Sequence, residues 1–330
     1  MQNHLKYITL PKFETASCMV WNNLKVSYQT FGQPLHTAPV VLVNHALTGN
    51  SQVTGENGWW DTIIGPDKLI DTKLYTVLAI NIPGNGYGNA LIENYNNIVC
   101  RDIARVFLQV LDALKIEQLH SITGGSLGGG IAWEMAVLKP DVANYLIPVA
   151  ADWKSSDWLI ANCLVQDQIL NNSKNPIHDA RLHAMLGYRS PESFKARFAR
   201  SVNENESLFN IETWLLHHGK KLQQRFQLSA YKLMNQLLRT IEASTYETFE
   251  ENLSKIKAEI HLVAVDSDLL FTATENRDTY ERLKPLKPDV YYHEIQSIHG
   301  HDAFLIEFEQ LEQLLKPVFK KEHHLHIKTA

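Results

Sequence analysis

The chain has 330 residues, 45% of them hydrophobic and 20% charged, with a formal net charge of −5. That length buries an ample core, as one large α/β domain with an insertion or as two domains. The acidic balance gives no support to binding nucleic acid or an anionic membrane surface, and no apolar stretch approaches the roughly 20 residues of a membrane span.

The segment 1–7 lacks the build of a signal peptide. Three widely spaced cysteines, Cys18, Cys100 and Cys163, argue against a disulfide framework and a thiolate zinc site. A cytoplasmic location is the expectation. Residues 40–44 and 75–81 are continuous apolar runs, the pattern of parallel strands covered on both faces. Over 101–114, Ile103, Val106, Phe107, Val110, Leu111 and Leu114 recur at helical spacing. Residues 119–123 read as a short buried strand and 131–138 as a helix stopped at Lys139-Pro140, with 143–149 as the next strand. The alternation predicts an α/β fold with right-handed crossovers.

From about 153 to 245 the pattern changes. Helical runs over 156–170, 178–186, 191–200, 211–224 and 229–241 follow one another with no strand candidate between them. Strands resume at 260–265 and 290–295. The expected division is 1–152 and 246–330 as two parts of one core, with 153–245 inserted as a helical lid. The His-rich tail at 320–326 reads as a solvated end rather than a metal site.

The chemistry gathers around Gly124-Gly125-Ser126-Leu127-Gly128. A G-x-S-x-G between a strand and a helix is a nucleophile elbow: its glycines permit a tight, strained turn that exposes the serine hydroxyl. The backbone N–H of the next residue, Leu127, points at the same spot. A serine is weakly nucleophilic until a histidine takes its proton, and that histidine needs a carboxylate to fix its tautomer. In this architecture the order is Ser, Asp or Glu, His. Asp266 and Asp268 follow the strand at 260–265, and His299 and His301 follow the strand at 290–295. Both pairs of candidates lie at the carboxyl edge of the presumed sheet, where ligands bind in open α/β folds. On chemistry alone the two aspartates are nearly tied.

Several longer strings are far more specific than the elbow. They are Asn44-His45-Ala46-Leu47-Thr48-Gly49, Gly58-Trp59-Trp60-Asp61, Ile64-Gly65-Pro66, Tyr188-Arg189-Ser190-Pro191-Glu192, Asp266-Ser267-Asp268-Leu269-Leu270-Phe271 and Gly300-His301-Asp302-Ala303-Phe304-Leu305. With the elbow, and in this order from about residue 20 to 315, they make the chain resemble the homoserine O-acetyltransferase family. These are acyl-CoA-dependent enzymes of methionine biosynthesis with the α/β-hydrolase fold, a mostly parallel central sheet flanked by helices.

The resemblance implies Ser126 as nucleophile, His301 as base and Asp268 as orienting carboxylate. It implies an oxyanion site at the N–H groups of Leu47 and Leu127. It further implies that Arg181 and Tyr188 hold the carboxylate of homoserine and that Asp302 holds its amine. Arg181 precedes Tyr188 by two helical turns, so both can face the same way. Trp59 and Trp60 read as core.

This sequence departs from the family pattern at 82–89, at Thr272, at Gly130 and at 239–242. The implied reaction is ping-pong through an acyl-serine. Acetyl-CoA is the first choice of co-substrate and succinyl-CoA the second, with L-serine an alternative acceptor. No metal and no tightly bound cofactor is called for, and a homodimer is implied. A serine esterase or thioesterase is the alternative within the fold, and a non-catalytic scaffold the remaining one.

Overall fold

The computed structural model describes residues 5–88, 90–205, 207–244 and 248–320. The His-rich tail beyond Lys320 lies outside the described residues. At the centre runs a sheet of β1 (Lys6–Glu14), β2 (Val20–Gly32), β3 (Val40–Asn44), β4 (Thr76–Ile80), β5 (Leu119–Gly125), β6 (Ala143–Val149), β7 (Glu259–Val265) and β8 (Val290–Ile295). Their spatial order is β1-β2-β4-β3-β5-β6-β7-β8. β1 pairs antiparallel with β2, and β2 antiparallel with β4, while every later pair is parallel. β3 and β4 are buried along their whole length, as their unbroken apolar runs require. The β1–β2 hairpin falls outside the alternation expected from sequence. Its strands mix exposed polar and buried apolar positions and pair with each other rather than through a crossover helix.

α1 (Cys100–Ala113) and α2 (Leu127–Leu138) pack against this sheet. α2 begins immediately after Ser126, four residues earlier than the apolar run suggests. The glycines that mask its start in sequence are required by packing. A Cβ on Gly128 would stand 2.4 Å from the Asn44 carbonyl oxygen, a backbone atom that cannot move aside.

Between β6 and β7 come α3 (Asp157–Asn172), α4 (Pro176–Tyr188), α5 (Pro191–Phe198), α6 (Asn210–Gln223), α7 (Leu228–Arg239) and the short α8 (Phe249–Leu253). Ser156 caps α3, Pro176 opens α4, and Ser190 with Pro191 starts α5, each in the place where such residues satisfy or omit an orphan N–H. The helical block is not free of strands, contrary to expectation. Val202–Asn203 pairs antiparallel with Leu208–Phe209 between α5 and α6, a ladder too short to leave a period-2 signature. Leu159, Cys163, Tyr231 and Leu233 of this block share one buried cluster with α1 and α2. α9 (Ala273–Leu283) follows β7 and α10 (Phe308–Phe319) follows β8. Among the described residues no helix is long and apolar enough to cross a membrane.

Candidate active site

Ser126 occupies the sharp turn from β5 into α2 with φ 57° and ψ −126°. A side-chain-bearing residue there costs of order 1–3 kcal/mol and persists only where its surroundings over-determine it. They do. The Ser126 N–H donates to the Val149 carbonyl at 2.9 Å, and its own carbonyl accepts from the N–H groups of Gly129 and Gly130 at 2.9 and 3.1 Å. Leu127 is the first residue of α2, so its N–H belongs to the helix end that has no intrahelical acceptor.

His301 sits in a 3₁₀ turn, Gly300–Leu305, beyond the end of β8. Its Nδ1 lies 2.7 Å from Asp268 Oδ2, with both residues buried. The other oxygen of Asp268 accepts from the N–H groups of Leu270 and Phe271 at 2.7 and 3.1 Å, which fixes the carboxylate. With Nδ1–H committed to Asp268, Nε2 is left as the basic nitrogen. Phe271, Phe304 and Tyr188 pack around the imidazole, their ring centres 5.6–5.9 Å away. Burial disfavours the imidazolium, but the Asp268 and Asp302 carboxylates outweigh it and hold His301 above its ordinary value. Phe304 also links the histidine to the elbow, since a Cβ on Gly125 would meet its ring at 2.3 Å. Trp60, buried as expected, anchors Phe304 by donating its Nε1–H to that residue's carbonyl at 3.2 Å.

The rival residues face elsewhere. Asp266 Oδ1 accepts from the Ser297 N–H at 2.9 Å, and His299 Nδ1 lies 3.2 Å from Arg189 Nη1 and 3.3 Å from Ser193 Oγ.

Leu47 lies just beyond β3, in a tight turn closed by the Gly49 N–H to the Ala46 carbonyl at 2.9 Å. His45 braces this turn from below. Its Nε2 accepts the Ile82 N–H at 3.1 Å and lies 3.2 Å from Asn85 Nδ2, which leaves Nδ1 to donate to the Ala46 carbonyl at 2.9 Å. Full burial pushes this imidazole down to about 4, so it is neutral. Asn85 continues to Asn81, and Asn81 to Ser27 and Ser51, in a buried network of amides and hydroxyls. Sequence reasoning missed His45 and Asn85 as functional supports. Their signal was present, because Asn85 falls in the segment 82–89 that departs from the family pattern.

Two other departures also have local reasons. A Cβ on Gly130 would stand 2.4 Å from Ile241 Cδ1, and Thr272 caps α9 by accepting the Glu275 N–H at 3.3 Å.

The third side of the site is charged. The Arg181 guanidinium lies over the Tyr188 ring, 5.1 Å from its centre. Asp302 does not cap a helix, since His299 holds the N-cap position and the Asp302 carboxylate pairs with Arg189 Nε at 3.2 Å. Burial raises the Asp302 carboxyl above the usual range, while Arg181 and Arg189 pull it back down. Behind Tyr188 is a small, largely apolar pocket, lined by Leu47, Cys163, Gln166, Tyr188, Tyr231 and Leu270 among others. It connects the turn at Leu47 to the helical block.

Known proteins share this fold. Residues 39–163 match the family model of the alpha/beta hydrolase fold, and the strand order and the elbow define the chain as that class of protein. It is 32% identical to the homoserine O-acetyltransferase of Trichormus variabilis, across 94% of this chain and 92% of that protein. The solved homoserine O-acetyltransferase of Bacillus anthracis shares the fold with a TM-score of 0.87 at 19% identity, covering 97% of this chain and 99% of that one. An acetylester hydrolase from Corynebacterium glutamicum does so with a TM-score of 0.82 at 17% identity, covering 96% of each. The chain belongs to the homoserine O-acetyltransferase family.

Proposed function

We propose that this enzyme transfers an acetyl group from acetyl-CoA to the hydroxyl of L-homoserine, through an acyl-serine at Ser126. The observation that carries the reading is the buried Asp268–His301 pair, linked through the Phe304 ring to Gly125 of the elbow, where Ser126 is held at a positive φ. In the first half-reaction His301 Nε2 takes the Ser126 proton and Oγ attacks the thioester carbonyl. The N–H groups of Leu47 and Leu127 receive the developing oxyanion, and the imidazolium returns its proton to the departing CoA sulfur. In the second, His301 takes the proton of the homoserine hydroxyl, which attacks the acyl-serine and regenerates Ser126. Arg181 and Tyr188 hold the acceptor carboxylate, and Asp302 its ammonium.

Transfer outruns hydrolysis only if water is excluded while the bound hydroxyl is well placed. The helical block 153–245 serves as the lid that does this, a role supported by the apolar pocket that its helices share with Leu47 and Leu270. The exposed Trp158, Leu164 and Val165 of α3 suit the homodimer that the family resemblance implies.

The test is CoA release from acetyl-CoA and succinyl-CoA, with L-homoserine, L-serine or neither. Wild-type release with acetyl-CoA should depend strictly on homoserine, and Ser126→Ala should abolish it. Release at the same rate without an acceptor would make the enzyme a thioesterase instead, and full activity in Ser126→Ala would refute the covalent route.

A further inference from the structure

We propose that Arg189 is a positioning residue of the acceptor site, one that steadies the charged Asp302 carboxylate for the ammonium group of the incoming amino acid. The inference rests on the homoserine reading above and adds a residue to it.

Arg189 follows Tyr188 directly. At that point the chain leaves α4 with φ −120° and ψ 156°, which turns the Arg189 side chain from the helical block toward the histidine loop. The two segments are docked closely against each other. Ser190 Oγ donates to the Ile298 carbonyl at 2.5 Å, and a Cβ on Gly300 (φ +66°) would stand 2.9 Å from the Arg189 carbonyl carbon and the Ser190 nitrogen. Arg189 Nε then lies 3.2 Å from Asp302 Oδ2, with side-chain exposures of 15% and 21%. That Nε is buried without an aligned hydrogen bond, so the contact is electrostatic and leaves acceptor capacity on the carboxylate.

The charges around Asp302 explain why a second arginine is needed. Arg181 of α4 and Arg189 just beyond its end act on it, His301 adjoins it in sequence, and Asp268 lies behind His301. His218 of α6 faces both arginines, and burial, with these charges behind it, pushes that imidazole down to about 4, so it adds no charge at neutral pH. An amino acid presents one carboxylate and one ammonium. With Arg189 paired to Asp302, Arg181 remains available for the carboxylate. Without Arg189, Asp302 has two unproductive options. It can turn to Arg181 and occupy the carboxylate clamp, or burial can win and protonate it, after which it cannot pair with an ammonium.

The experiment compares Arg189→Met and Arg189→Lys with the wild type in acetyl-CoA–homoserine transfer, across about pH 6 to 9. In Arg189→Met the KM for homoserine should rise roughly tenfold, while the KM for acetyl-CoA stays within about twofold. The acid limb of kcat/KM for homoserine should move to higher pH, because the carboxyl then titrates higher, and Arg189→Lys should restore most of both losses. A thermal melt checks the fold. If Arg189→Met does not fold, Arg189→Gln is read in its place, since it removes the charge but keeps a polar group beside His299. Unchanged homoserine KM and acid limb in a folded variant would overturn the inference, as would donor and acceptor constants worsening together. A wild type that ignores homoserine fails the functional reading instead, and is seen before any variant is made.

Discussion

The turn that carries Leu47 and the loop that carries His301 flank the same serine, but they are held by opposite means. His45, Asn85, Asn81 and Ser51 support the turn through hydrogen bonds among neutral buried groups. The histidine loop is held by ions: Asp268 on His301, Arg189 on Asp302, with Arg181 nearby. On the proposed reaction, the contrast follows from when the charge appears. An oxyanion exists only during the reaction, so its donors must already be in place and must not carry a counter-ion that would bind in the resting state. An amino acid arrives charged, and its site must carry complementary charges from the start.

The largest expected effect lies on the ionic side. Asp268→Asn should lower kcat by roughly ten-thousandfold, because the amide stabilises the wrong imidazole tautomer while leaving the loop intact. A loss under about a hundredfold, measured as homoserine-dependent CoA release, would mean that Asp268 does not orient His301.

A middle-sized effect belongs to the neutral side and is one of stability. The folded value of His45, about 4, lies below the ordinary 6.5, so the folded state resists protonation that the unfolded chain accepts. The stability this confers is fully present above pH 6.5 and is lost as pH falls toward 4. The stability of wild type minus that of His45→Gln should therefore shrink by about 2–3 kcal/mol between pH 7 and pH 4.5, as read by urea unfolding. A difference that stays level with pH would show that His45 is not buried neutral.

The smallest effect tests where the two regions end. Arg225, which is exposed, donates from Nη1 to the Thr48 carbonyl at 3.2 Å. Exposed contacts of this kind are worth about 0–1 kcal/mol, so Arg225→Ala should change kcat/KM by less than about fivefold. A larger loss would make this arginine part of the turn's support.

The parallel half of the sheet, the elbow and the Asp268–His301 pair were legible because the strands are short, mostly apolar runs followed by polar residues. Other features left weaker traces. β1 and β2 are half-exposed and dotted with lysine and asparagine, so their period-2 signal drowns in charge. The choice between Asp266 and Asp268 turns on which carboxylate the turn points inward, a matter of backbone geometry that neighbouring identical side chains cannot reveal. Asn85 and Arg189 were in view as residues, one in a departing segment and one in a matching string. The roles proposed for them depend on partners some 40 and 110 positions away, His45 and Asp302, and no local pattern encodes such a pairing.

One consequence follows from where these parts reside. Everything proposed to make the acyl-enzyme hangs from ends of the central sheet: the turn after β3, the elbow after β5, and the loops after β7 and β8. Arg181, Tyr188 and Arg189, proposed to choose or steady the acceptor, all come from α4 and the residue that ends it. Asp302 joins the two sets, since it is proposed to hold the acceptor ammonium from the loop that carries His301. On this reading, changes confined to α4 alter the grip on the acceptor carboxylate while the residues that capture the acyl group stay as they are.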